Sequence, residues 1–385
     1  MPASTDTLTG MGTCALLPLA TPPRRWMHLL AVLGVACRGP DRGPETKDPA
    51  DDSGDTDRGG DSSDTSGEDS TADSTDTGED SGLDSPGPRW SGQSPDEGYG
   101  TAITQGASGV FVGAPAFASG GLASGRLYLE GKLYAEGAPG DRLGAALAAC
   151  GDGTLLIGAP GVDTVRDIHN EPLWTDPGAG GALACRGDAW ATGSRTGATR
   201  WSGAEPTRVA WGAQPAALAL LSDGRLVGGF PHGDVAVRVD DLVITRGAAA
   251  DEAGYTVTVG DADGDGVEEL LIGAPGAGRV YVLDPAHLPA SLGEARSITA
   301  AGGRFGAALA LPRPGLLFVG APMAGGEVEG ALWRSEGLAA PTLDATGQAA
   351  GDQLGFSLAV GADGTLLVGA PGASTVPGAV EIHAP

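Results

Sequence analysis

The stretch Asp261-Ala262-Asp263-Gly264-Asp265-Gly266-Val267-Glu268-Glu269 holds the densest chemistry in the chain. Carboxylates at its first, third, fifth and ninth positions, with glycine at the sixth, can wrap a hard cation in oxygen ligands, and the seventh-position carbonyl of Val267 adds one more. Asp261, Asp263, Asp265, Val267 and Glu269 are therefore the candidate ligands of a single Ca²⁺ site. The competing reading is an acidic turn that binds no ion. The loop is not an EF-hand, because its twelfth position is Ile272, where that loop needs an acid, and runs with strand character rather than helices flank it, Tyr255–Val259 and Leu270–Ile272. The corresponding turns elsewhere in the chain lack the acids.

Other reactive groups are scattered. Beyond the N-terminal leader, His169, His232, His287 and His383 stand singly, and none has a metal-ligand spacing. No Gly-x-Ser-x-Gly elbow and no phosphate loop is present, so no catalytic and no organic-cofactor residue is assigned. Cys150 and Cys185 form a candidate disulfide. Assigned to the first and third strands of one sheet, they would sit two ladder spacings apart, about 9–10 Å, beyond bonding reach unless the strand ends bend together. Bonded cysteines and two buried thiols both remain open. Arg186-Gly187-Asp188 spells an adhesion tripeptide, read as an incidental exposed turn in a chain rich in these residues.

The elements that must carry these groups come from a repeat. Gly-Ala-Pro recurs at Gly113, Gly158, Gly273, Gly320 and Gly369, with a degraded copy at Gly228-Gly229-Phe230-Pro231. Each copy ends a short apolar run, such as Leu155-Leu156-Ile157 or Leu316-Leu317-Phe318-Val319. Each is preceded by a pair ending in glycine, such as Leu143-Gly144, Ala253-Gly254 or Phe305-Gly306, and followed by a run opened by glycine, such as Gly278-Arg279-Val280-Tyr281. Asp152-Gly153, Asp223-Gly224 and Asp363-Gly364 fall where tight hairpins between the first two strands belong. No helical period is sustained. Short strands at a period near 47 residues describe propeller blades, which must stack to bury both sheet faces.

The pairing of Phe-Gly with Gly-Ala-Pro resembles the FG-GAP repeat of the integrin α-subunit N-terminal β-propeller and its bacterial relatives, over residues 88–385. Only Phe305-Gly306 matches the first half literally. The resemblance implies an all-β propeller and a calcium hairpin at Asp261–Glu269, with Glu269 where the family commonly has Asp. Six strand-Gly-Ala-Pro units are visible, so six blades are expected, with the seven of integrins as the alternative. The 70-residue interval between Gly158 and Gly228 is read as one blade carrying a loop insertion after Pro160. Arg89-Trp90-Ser91-Gly92 matches Arg200-Trp201-Ser202-Gly203, assigned to the fourth strand of the second repeat. The N-terminal copy is thus expected to supply the outer strand that the last repeat lacks, closing the ring.

The first 87 residues read as an address and a spacer. Arg24-Arg25, an apolar run from Trp26 to Ala36, and Cys37 describe an export signal over residues 1–36. Leu33-Gly34-Val35-Ala36-Cys37 resembles a bacterial lipoprotein signal, which would make Cys37 an acylated N-terminus. Simple cleavage is the alternative, with a secreted or periplasmic product. Residues 37–87 are nearly all Asp, Ser, Thr, Gly and Glu and are expected to form a disordered, self-repelling tether.

The whole chain of 385 residues carries a net charge of −26, which excludes polyanion binding through a basic face, so no nucleic-acid partner is expected. After residue 37 no apolar run is long enough to span a bilayer, leaving a lipid anchor as the expected membrane contact. The function expected is a monomeric, surface-displayed, non-catalytic binding or adhesion module for a protein or glycan ligand. The alternatives are an exported enzyme acting on polysaccharide or phosphodiester at the propeller channel, and a structural envelope protein.

Overall fold

A computed structural model describes residues 89–203, 205–248, 250–372 and 377–384. Cys37, the export signal and the tether lie outside the described residues. The described chain is all-β apart from three short 3₁₀ turns, and its strands form seven four-stranded antiparallel sheets and one two-stranded hairpin, Ala118–Ser119 with Leu122–Ala123. Blade 1 comprises Ala102–Gly106, Gly109–Ala114, Arg126–Leu129 and Lys132–Glu136. Blade 2 comprises Leu147–Ala149, Leu155–Ala159, Thr164–Arg166 and Pro172–Thr175. Blade 3 comprises Leu183–Arg186, Ala189–Ser194, Gly197–Trp201 and Pro206–Ala210. Blades 4, 5 and 6 begin at Ala217–Leu220, Thr256–Gly260 and Ala308–Arg313. The first strands of neighbouring blades touch all the way round, and blade 7's Ser357–Val360 returns to blade 1. These first strands are therefore the inner ones, and the molecule is a seven-bladed β-propeller.

Burial grades outward across each blade. The second strands, such as Leu155–Ala159, Glu269–Ala274 and Leu316–Ala321, are buried throughout, because blades cover both of their faces. This is why they read as continuous apolar runs rather than alternating ones. The outermost strands, such as Lys132–Glu136, are largely exposed. The core is divided into seven apolar clusters, one at each interface between blades.

The seventh blade corrects the six-repeat count. Blade 3 occupies only 28 residues, Leu183 to Ala210, inside the interval assigned to a loop insertion. It is compressed because two-residue turns, Gly187-Asp188 and Arg195-Thr196, join its first three strands. Gly181-Ala182-Leu183-Ala184 accordingly enters the inner strand of blade 3 and is not the third strand of blade 2. Arg200-Trp201 ends a third strand, not a fourth.

The ring closure is as expected, though the analogy that suggested it was to a strand in another position. Arg89–Ser91 is the outermost strand of blade 7, pairing antiparallel with Ala379–His383 through Arg89↔Glu381, Trp90↔Val380 and Ser91↔Ala379. Closure in this way satisfies the last edge with a strand from the other end of the domain.

Close approach between blades explains the repeated glycine. A Cβ on Gly320 would lie 1.9 Å from the Gly355 carbonyl oxygen of blade 7, and one on Gly113 would lie 2.0 Å from that of Gly144. The same clash recurs at Gly158 with Gly180, Gly229 with Gly254, Gly273 with Gly306 and Gly369 with Gly100. The glycine on the receiving side in turn donates its N–H to the Gly-Ala-Pro glycine of its own blade, as from Gly355 to Gly369 at 3.1 Å and from Gly306 to Gly320 at 3.1 Å.

The cysteines also belong to different blades than expected. Cys150 follows the inner strand of blade 2 and Cys185 lies in the inner strand of blade 3, with 5.2 Å between their Cα atoms, and they are disulfide-bonded. The ladder-spacing objection disappears because the bond crosses between sheets instead of spanning one. It staples the interface whose cluster of buried residues is the smallest of the seven, Cys150, Leu156, Val165 and Ala179. The stacked Trp190 and Trp201, with centroids 3.6 Å apart, and Trp174 edge-on to Trp201 build up the same region.

Two outcomes are expected. Gly320→Ala should destabilise the domain by more than about 4 kcal/mol in urea unfolding, because both groups that collide are backbone. Reducing Cys150–Cys185 should cost roughly 2–4 kcal/mol, read as a lower denaturation midpoint that Cys150→Ser reproduces without reductant.

Candidate metal centre

The acidic loop joins the inner and second strands of blade 5, which pair up to Gly260↔Glu269. In blades 2, 4 and 7 the equivalent connection is a tight Asp-Gly turn. There Asp152, Asp223 and Asp363 each accept a backbone N–H two residues on, from Thr154, Arg225 and Thr365. Blade 5 expands that turn. Asp261 takes the N–H groups of Gly264 at 2.7 Å and Gly266 at 3.0 Å, Asp263 takes that of Asp265, and Asp265 takes that of Val267 at 2.8 Å. The loop therefore coils around its own carboxylates, and glycine at 264 and 266 supplies the left-handed backbone, φ 85° and 89°, that this coiling needs.

Coiling brings Asp261, Asp263 and Asp265 together, with one carboxylate oxygen from each within 4.8 Å of the others. Glu269 is buried behind them, its Oε2 accepting the Ala262 N–H at 2.7 Å. Burial, then the charges of Asp263, Asp265 and Asp261, holds its carboxyl above the usual range against that hydrogen bond. The Val267 side chain points to solvent, 54% exposed. All the donors are hard oxygens, so the set fits Ca²⁺ or a similar cation and not a soft metal. Asp261, Asp263 and Asp265 would hold the ion, and a bound charge would relieve the repulsion that acts on Glu269.

Glu268, the remaining acid of the run, is used elsewhere. Its Oε1 accepts the Ser222 N–H at 2.6 Å and its Oε2 accepts Arg186 Nη1 at 2.7 Å, joining blade 5 to blades 4 and 3. Burial raises its carboxyl, but the Ser222 and Arg186 bonds outweigh this and hold it below the usual range. Arg186 thus makes a contact between blades, while Arg186-Gly187-Asp188 is the exposed turn expected of it. On the other side the Asp261 carbonyl accepts the Gly315 N–H of blade 6 at 3.0 Å. The loop of blade 5 thus bonds to three other blades, 3, 4 and 6.

A set of buried acids escaped the sequence reading. Glu97, Asp141, Asp251 and Asp352 each stand three residues before the glycine that opens a blade, at Gly100, Gly144, Gly254 and Gly355. Each accepts backbone N–H groups of its own turn and meets an arginine. The pairs are Arg126 at 3.7 Å, Arg166 at 2.9 Å, Arg246 at 2.6 Å and Arg89 at 3.8 Å. The fixed offset from the glycine was the available signal. Of the histidines, His287 pairs with Asp284 at the surface and His383 meets Glu381.

The loop and ring agree with the comparisons. Residues 253–283 match the FG-GAP repeat family model, a segment that runs from the glycine opening blade 5, through the acidic loop and Gly273-Ala274-Pro275, to the end of the third strand. The chain is a β-propeller bearing an FG-GAP repeat, and its seven blades agree with the integrin-like architecture that the resemblance implied. No curated protein matches it. Among solved structures it is similar to a catalytically inactive virginiamycin B lyase from Staphylococcus aureus with quinupristin, at 12% identity and a TM-score of 0.55, covering 77% of this chain and 99% of that one. A streptogramin B lyase structure gives 11% identity and a TM-score of 0.51, covering 77% and 97%. At such identities the likeness is one of fold.

Calcium should raise the thermal stability of the domain and chelator should lower it. Sites of about 10⁻⁴–10⁻³ M suit exported modules, and a hundredfold excess of ligand over the dissociation constant adds about 2.7 kcal/mol. Asp263→Ala should abolish most of the calcium dependence while leaving the circular dichroism spectrum intact. A wild-type melting curve indifferent to chelator would identify the loop as an acidic turn.

Proposed function

We propose that the protein is an exported, non-catalytic binding or adhesion module, displayed on a lipid-anchored acidic tether and stabilised by one calcium ion at Asp261, Asp263 and Asp265. One observation carries the reading: among the described residues, every buried carboxylate except Glu269 of the metal loop is committed to a structural ion pair. Glu97, Asp141, Asp251, Asp352 and Glu381 are each turned to arginines. That leaves a rigid ring whose loops present side chains for recognition. A cation that ties the loop of blade 5 in place serves the same end, by fixing the geometry of one loop face. Cys37 and the acidic segment after it support display at a membrane surface, since two acyl chains on one residue suffice for stable anchoring.

Fractionation of the native host tests the anchoring. Wild-type protein is expected in the membrane fraction and Cys37→Ala in the soluble fraction. Soluble wild type would replace the lipid anchor with a plain secretory signal.

A further inference from the structure

A pocket of about 350 Å³ opens between blade 7 and blade 1, the two blades joined by the closing strand. Its floor is apolar, from Val110, Leu367 and Ile382, and the indole of Trp90 lines it. Glu130 and Asp363 stand at its rim, both exposed. Two glycines make room for these side chains. A Cβ on Gly131 would lie 3.0 Å from Trp90 Cδ1, and a Cβ on Gly109 would overlap the Glu130 carboxylate.

The hydrogen bonds already made in the wall decide which polar atoms are left. Glu130 Oε1 accepts the Val110 N–H at 2.8 Å. Asp363 Oδ1 takes both the N–H and the hydroxyl of Thr365, at 3.0 and 2.6 Å. The Gln105 amide nitrogen donates to the Gly106 carbonyl at 2.9 Å. These bonds leave Glu130 Oε2, Asp363 Oδ2 and Gln105 Oε1 over as acceptors, and the Trp90 indole N–H and the second Gln105 N–H over as donors. Among the described residues lining the pocket there is no lysine, arginine or histidine. With two carboxylates and no basic side chain in the wall, the favoured occupant brings positive charge and hydrogen-bond donors on a stem apolar enough for the floor.

We propose that this pocket captures the alkylammonium side chain of a lysine on a partner protein. The ammonium presents three donors to the leftover oxygens. Its charge is met by two carboxylates and by the face of an aromatic ring, which attracts cations. The four-carbon stem lies along the apolar floor, as lysine stems do when the head stays polar. The field around the site has the right sign, since residues 87–385 carry 32 acidic and 17 basic side chains. The inference rests on the reading of the protein as a binding module and names the chemistry of one contact in it.

The test titrates the full chain with three probes by calorimetry: an acetylated, amidated Gly-Lys-Gly peptide, the same peptide with an acetylated lysine side chain, and 1,5-diaminopentane. The lysine peptide should bind, and acetylating its side chain should abolish binding. Glu130→Gln and Asp363→Asn should each weaken it at least fivefold, because each removes a charge and keeps the oxygen that bonds the backbone. Raising salt from 50 to 500 mM should weaken it further. Thermal melts of both variants should match wild type, which separates lost binding from lost fold. Binding of the diamine but not the peptide would overturn the protein-lysine assignment in favour of a free amine. Equal binding of the acetylated peptide, or no effect of either variant, would overturn the pocket. A pull-down that finds no partner bears on the binding-module reading, whereas these titrations bear on the pocket, so the two can fail separately.

Discussion

The ring depends on the absence of one carbon atom at the end of the second strand of each blade but the third. The backbones of neighbouring blades approach so closely there that a Cβ would lie about 2 Å from a carbonyl oxygen. A blade is a flat element with two apolar faces, and it becomes stable only when both are covered at interior packing density. Closing the gap near the axis to backbone-on-backbone contact lets apolar side chains farther out meet from both sides. The contact of Gly369 with Gly100 is the same contact made between the last blade and the first. Circular closure is thus a repetition of the local rule with no additional interaction type.

That contact decided what could be read from the sequence. Where the approach is tightest, Gly-Ala-Pro is kept, and five of the seven blades announced themselves. Blade 3 did not, because the would-be Cβ of Gly193 meets no backbone, only the side chains of Pro215 at 3.4 Å and Ala182 at 3.6 Å. The tripeptide there has become Gly193-Ser194-Arg195, and the blade is short enough to resemble an insertion. Blade 4 is intermediate: the Trp211 ring packs over Gly228, and Gly229 makes the backbone contact. The disulfide was misplaced for the same reason. A third-strand assignment of Leu183–Arg186 hides the inner strand of blade 3 to which Cys185 belongs.

The candidate metal loop was legible because its spacing is dictated by ligand geometry, which local sequence records. Asp261, Asp263 and Asp265 converge as the spacing implied. The role of Glu268 was hidden because its partners, Ser222 and Arg186, are 46 and 82 residues away. Long-range pairing of this kind leaves no periodic trace. The buried acids before four of the blades are the opposite case, since a local offset records them. They connect the opening turns of blades 1, 2, 5 and 7 to an arginine, and at Arg246 the clasp reaches four further carbonyls, those of Phe230, Gly233, Val235 and Ala253. Residues 87–385 carry 32 acidic and 17 basic side chains, so with four arginines drawn into such clasps the domain shows the outside world an acidic surface.

The chain enters the ring through its closing strand, and this has a mechanical consequence. Any pull transmitted along the segment before Arg89 arrives first at three paired residues, Arg89 to Ser91, and at the ion pairs of Arg89 with Glu381 and Asp352. The disulfide sits in the interface between blades 2 and 3, remote from that seam, and bears none of the initial load. Under tension the molecule has one designated point of yielding, where blade 7 would lose its outer strand while the covalently stitched part of the ring stays whole. The pocket lined by Trp90 lies on that same seam, so a ligand seated there would act as a rivet across it.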